Sequence, residues 1–88
     1  MKLRYLKSFL RDIEKLKDPQ TKQHIKTQIE QIKSVEKRNE IRQLKKIKGH
    51  SYAYRLRVGN YRMELFIEKD VVTFVRFVKR NDIFKLFP

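Results

Sequence analysis

Cysteine is missing from this chain, and its absence removes disulfides, thiolate metal sites and thiol nucleophiles together, in keeping with a reducing compartment. Glycine is scarce, with only 2 residues, and no glycine-rich phosphate loop occurs. Neither metal-ligand spacing nor a serine–histidine–aspartate arrangement is found. Long apolar runs are lacking as well. The longest, Val71 to Val78, is broken by Arg76, which leaves it far short of a membrane span, and no signal-peptide stretch opens the chain. From these absences we expect a cytoplasmic protein with no membrane partner, no metal and no cofactor. Low-complexity tracts, internal repeats and linkers are also absent, so the 88 residues are expected to form one small domain, 1–88, of modest core and marginal stability.

Acidic residues are few. Ten Asp and Glu face 23 Lys and Arg, a formal charge of +13. A field of this sign steers a protein toward polyanions, whether nucleic acid, anionic lipid or an acidic protein, without choosing among them.

Lys2 to Tyr5 reads as a short strand. Ser8 is a candidate N-cap, and Phe9, Leu10, Ile13 and Leu16 recur at helical spacing, predicting a helix to about Lys17. Asp18-Pro19 ends it and caps a second helix, whose apolar stripe of Ile25, Ile29, Ile32 and Val35 extends to about Glu36. Lys37 to Glu40 reads as a connection, and Ile41 to Gly49 as either a helical turn or an irregular basic segment. Strands are expected at Tyr52 to Val58, Tyr61 to Glu68 and Val71 to about Lys79. The last is apolar on both faces, with Val71, Val75 and Phe77 on one and Val72, Phe74 and Val78 on the other, as in an interior strand. The expected fold is therefore α+β: a two-helix hairpin on one face of a small, mainly antiparallel four-stranded sheet, in the order β-α-α-β-β-β.

The run YAYRLRVGNYR, from Tyr52 to Arg62, is a hairpin around a two-residue Gly59-Asn60 turn. If Val58 pairs with Tyr61, Arg57 lies opposite Arg62, and Arg55 opposite Glu64. Tyr52, Tyr54, Leu56, Val58, Tyr61, Met63, Leu65 and Ile67 then face the helices, and Ala53, Arg55, Arg57, Arg62, Glu64 and Phe66 face away. Opposed like charges destabilise a sheet. Such a local cost points to an anion-binding role. Glu64 reads first as a cross-strand partner of Arg55, with general-base chemistry as the other reading. His24 reads as a surface residue; His50, just after Gly49, is a lesser candidate for substrate contact. Phe66, with Val72 and Phe74, is expected to leave an apolar patch on the arginine face.

At Tyr54 to Arg62, at Val75-Arg-Phe-Val-Lys-Arg80 and at Asp82-Ile-Phe-Lys-Leu-Phe-Pro88 the chain resembles the RelE/ParE toxin superfamily, looking most like the RelE-type messenger-RNA interferases. The resemblance spans nearly the whole chain. It implies a toxin that enters the ribosomal A site, beside 16S rRNA, and cuts messenger RNA by attack of a ribose 2′-hydroxyl on the adjacent phosphate. It also implies a cognate antitoxin that wraps it, the toxin being a monomer alone and heteromeric with that partner. Arg57, Arg62 and Arg80 match the family's basic positions and are the expected catalytic residues together with Lys79; Arg55, Lys45, Lys46, Lys48 and Phe84 are the expected RNA-binding ones. Lys79 and Phe84 stand where many relatives carry histidine and tyrosine. Phenylalanine stacks on a base but moves no proton, so the resemblance implies that either Lys79 or Glu64 does the acid/base work, or turnover is weak, or the chain is an attenuated variant of an active toxin. The alternatives are a ParE-like inhibitor of DNA gyrase without nuclease activity and a catalytically silent ribosome- or RNA-binding module. An antitoxin segment is the natural occupant of the patch around Phe66.

Overall fold

Alternating residues on either side of Gly59-Asn60 close the tight hairpin that the sequence predicts. In the computed structural model, which describes residues 1–80, the elements in chain order are β1 (Lys2–Tyr5), α1 (Lys7–Glu14), α2 (Pro19–Ser34), a 3-10 turn (Arg38–Glu40), β2 (Lys45–Lys46), β3 (Ala53–Val58), β4 (Tyr61–Glu68) and β5 (Val71–Lys79). Gly59 takes φ +59°, which suits the first central position of a two-residue hairpin turn. The register is the expected one, with Val58 opposite Tyr61, Arg57 opposite Arg62 and Arg55 opposite Glu64.

The sheet has 5 strands in the order β1-β5-β4-β3-β2. β1 runs parallel to β5 and the other neighbours are antiparallel. The strand beyond the expected four is β2, drawn from the stretch whose form the sequence left open. Gln43, at φ +62°, turns the chain into it. Two residues long and made of lysine, it ends the sheet in a form that resists pairing with another chain.

Both helices cover one face. Asp18 caps α2, accepting the Gln20 N–H at 3.2 Å and the Thr21 hydroxyl at 2.7 Å, which satisfies donors a helix start leaves free. Ile25 and Ile32 of α2 and Phe9 of α1 are buried against Leu56, Met63, Leu65, Val72, Phe74 and Phe77. Each such side chain contributes about 1.5–3 kcal/mol on burial. Tyr54 is also in the core, its hydroxyl accepting from the Arg38 guanidinium at the edge. Among the described residues no helix is long and apolar enough to cross a membrane.

Five expectations need correction. α1 stops at Glu14, before Lys17, and Ser8 is not its cap: Leu6 holds that position, and the Ser8 hydroxyl donates instead to the Val75 carbonyl at 2.6 Å. Leu10, assigned to the core stripe, is 47% exposed, and Tyr52, just ahead of β3, is 53% exposed. Strict alternation along β5 put Phe74 and Phe77 on opposite faces, yet both lie in the core. The reason is a bulge. Leu65 pairs with Phe74 but Glu64 pairs with Arg76, leaving Val75 as an extra residue.

Candidate functional site

The period-two rule and the observed register place Arg55 and Arg57 of β3, Arg62 and Glu64 of β4, and Arg76 and Val78 of β5 on the face that the helices leave open. Lys45 of β2 joins them opposite Arg55. Arg80 is tied to the hairpin turn by its N–H, which donates to the Asn60 carbonyl at 3.0 Å. Lys45, Arg55, Arg57, Arg62 and Arg80, with Gln43, Leu56 and Tyr61, line a concavity of about 400 Å³, and among the described residues no carboxylate lines it.

Arg62 carries most of the electrostatic cost. Burial first, then Arg55, with Arg80 and Arg57 adding and Glu64 opposing, pull its guanidinium below the usual arginine range. Arginine keeps its proton regardless, so the concavity is lined by a cluster of fixed positive charges. Guanidinium forks meet a phosphate with two parallel hydrogen bonds each, and a tetrahedral anion relieves the repulsion between Arg57 and Arg62. Chemically, the arrangement can bind a phosphodiester and stabilise charge that builds on it.

Glu64 lies one row further along the same face, opposite Arg55 on one side and Arg76 on the other. It forms an ion pair with neither: among the described residues the ion pair is Arg76 with Asp12 of α1, at 2.8 Å. Burial pushes the Glu64 carboxyl above the usual carboxylate range, against the pull of Arg76 and Arg62 and with a small push from Asp12. The hydrogen bonds that Arg76 donates to the Asp12 carboxylate, ahead of all else, raise Arg76 above the ordinary arginine range. Arg76 and Asp12 were not singled out from the sequence. The available signal was a lone arginine breaking the apolar run of β5 and an aspartate on a helix rich in lysine.

Of the residues expected to act, Arg55, Arg57, Arg62, Arg80 and Lys45 come together. Lys46, opposite Tyr54, turns to the other face of the edge strand beside Arg38 and Leu44. Lys48 is exposed in the turn after β2. Lys79, also exposed, lies opposite Tyr61 on the helix side of the sheet and is not among the residues that line the concavity. Phe84 lies outside the described residues. His24 is exposed on α2, and His50 is exposed near the start of β3, at the opposite end of the strand from Arg57. Phe66 is 46% exposed on the arginine face, as expected, but Val72 and Phe74, expected beside it, are fully buried in the core. Its neighbours are Ala53 and Thr73.

No family model matches the chain. Over 89 residues, covering 100% of both proteins, it is 34% identical to Toxin RelE3 of Methanocaldococcus jannaschii. Its fold is similar to that in the crystal structure of the RelB-RelE antitoxin-toxin complex from Methanococcus jannaschii, with a TM-score of 0.84 and 32% identity over 97% of this chain and 99% of that one. The isolated E. coli RelE toxin shares the fold at a TM-score of 0.64 and 20% identity, over 97% of this chain and 92% of that one. Full-length identity to a RelE toxin, on a sheet and helix pair of the same design, means that the chain belongs to the RelE family of toxins.

Proposed function

We propose that this toxin is an endoribonuclease that cuts messenger RNA in the ribosomal A site, and that a cognate antitoxin holds it in check. The observation that carries the reading is the concavity where Lys45, Arg55, Arg57, Arg62 and Arg80 converge, with no carboxylate among the described residues that line it. In the proposed reaction a ribose 2′-oxygen attacks the adjacent phosphorus. The new O–P bond forms as the bond to the 5′-oxygen of the next nucleotide breaks, leaving a 2′,3′-cyclic phosphate and a 5′-hydroxyl. One proton leaves the 2′-hydroxyl and one arrives on the 5′-oxygen. Arg57, Arg62 and Arg80 stabilise the charge gathered on the phosphorane oxygens, and Arg55 and Lys45 hold the strand on either side.

Glu64, half-buried next to Arg62 and Arg76 and with its pKa raised by burial, is the carboxyl we assign to proton transfer. Lys79 and Phe84 stand in the sequence where relatives place histidine and tyrosine, so turnover is expected to be slow. The antitoxin assignment is supported by the similar M. jannaschii toxin having been solved as a complex with RelB. We assign the free toxin as a monomer that becomes heteromeric with that partner, acting beside 16S rRNA.

Primer extension on messenger from a translation extract exposed to the protein tests the reading. Discrete cuts within reading frames are expected, appearing only where ribosomes are present. Binding to ribosomes without cuts would make the chain a silent RNA-binding module, and inhibition of DNA gyrase with intact messenger would make it a ParE-like toxin.

A further inference from the structure

Outward-facing positions on β5 change parity at Val75. Before it they are odd-numbered, with Thr73 opposite Phe66; after it they are even-numbered, with Arg76 opposite Glu64 and Val78 opposite Arg62. A slip of one residue turns every following side chain to the other face. Without the extra residue, pairing continued from Leu65 and Phe74 would send Phe77 and Lys79 to the arginine face and turn Arg76 and Arg80 toward the helices. Arg80 directly follows the end of β5 at Lys79 and, with its N–H on the Asn60 carbonyl, carries this parity one residue past the strand into the concavity that Lys79 does not line.

A helix holds this bulge in place. β1 accompanies β5 only as far as Tyr5 opposite Phe74, with one further bond from the Leu6 N–H to the Phe74 carbonyl. Beyond that point α1 takes over the edge. The Ser8 hydroxyl donates to the Val75 carbonyl at 2.6 Å. The Asp12 carboxylate, whose side chain is only 10% exposed, accepts three hydrogen bonds, from Arg76 Nε at 2.8 Å, Arg76 Nη2 at 3.2 Å and the Phe77 N–H at 2.9 Å. A charged acceptor with three donors is a strong clamp. Its donors are the two residues that directly follow the extra one.

We propose that Asp12 is a positioning residue of the anion site: by clamping Arg76 and the Phe77 amide it fixes the bulge at Val75 and so sets Arg80, rather than Lys79, against the phosphate. The role in binding rests on reading the concavity as an RNA phosphate site; the role in setting the strand does not. Two measurements on the full chain separate these claims. The first is amide hydrogen exchange of Asp12→Ala. Exchange at Phe77 and Arg80 is expected to accelerate about tenfold or more, while β3 amides exchange as in the parent. Unchanged protection at both amides would overturn the proposal.

The second is a double-mutant cycle read by anisotropy of a fluorescein-labelled single-stranded RNA oligonucleotide. Asp12→Ala and Arg80→Ala are each expected to weaken binding about tenfold. Their combination should cost little more than either alone, whereas Asp12→Ala with Arg57→Ala should be additive. Asp12→Asn, which keeps an acceptor for the Phe77 N–H, should restore most of the affinity. Additivity with Arg80→Ala, or equal coupling to Arg57→Ala, would reduce Asp12 to a general stabiliser. Should Asp12→Ala fail to fold, Arg76→Lys, which loses the guanidinium fork but keeps the charge, enters the same cycle with the same two outcomes. A parent protein that binds no RNA would overturn the phosphate reading, and the exchange at Arg80 would still decide whether Asp12 sets the strand.

Discussion

Arg57 and Arg62 face each other across the hairpin, an arrangement that costs a sheet roughly 0.2–1 kcal/mol. Replacing either by alanine should therefore weaken RNA binding about tenfold, the worth of a charge-assisted hydrogen bond, and leave the melting temperature unchanged or slightly higher. Filter binding beside thermal melts checks both halves; lost stability with undiminished binding would make the cluster structural. Glu64 supports a prediction about pH. Its folded pKa is raised, so the fold favours the protonated carboxyl. Its contribution is fully present below the unfolded value of about 4.3 and is lost as pH rises through the folded value. Glu64→Gln should accordingly be more stable than the parent at pH 7, and the two should converge below about pH 4. Urea midpoints at the two pH values would show a constant gap if the carboxyl were not the cause.

Most of the secondary structure was legible because each element repeats one period over several residues. The hairpin register followed from two turn residues, Gly59 and Asn60, and the start of α2 from Asp18-Pro19. β2 was not legible, since two lysines carry no period, and their pairing with Arg55 and Tyr54 comes from a strand already in place. Nor was the bulge. Val75 is as apolar as its neighbours, and only the need to bury both Phe74 and Phe77 beside Phe9 selects it as the extra residue. Deleting Val75 should move Phe77 out of the core and press Arg76 into it. A loss of more than about 3 kcal/mol is expected, as for removal of a buried aromatic side chain, read from urea unfolding. A deletion variant with the parent's midpoint would show that the bulge does not organise the core.

For the molecule as a whole, charge is the dominant physical fact. With five cations lining the concavity inside a chain of +13, binding to single-stranded RNA should weaken steeply with salt. Each phosphate neutralised contributes about 0.7 to the slope of log affinity against log salt, so three or more contacts put its magnitude above about 2. Titrations at several salt concentrations measure it directly. A nearly flat dependence would mean that the main ligand of this face is an apolar protein surface.

By itself the sequence determined the sign of the protein's own charge, the α+β class, the hairpin register and the opposition of Arg57 to Arg62. These depend on composition and on residues close together in the chain, where the period of a helix or strand and the geometry of one turn decide the outcome. Tertiary structure alone decided which side of the sheet Lys79 occupies, that Arg80 lines the concavity, and that Asp12 meets Arg76 and the Phe77 amide across 64 and 65 positions of sequence. That choice depends on whether an extra residue in β5 is held by a helix near the other end of the chain. No local period encodes it, because the energy that settles it comes from burying two phenylalanines and satisfying the backbone groups the bulge exposes.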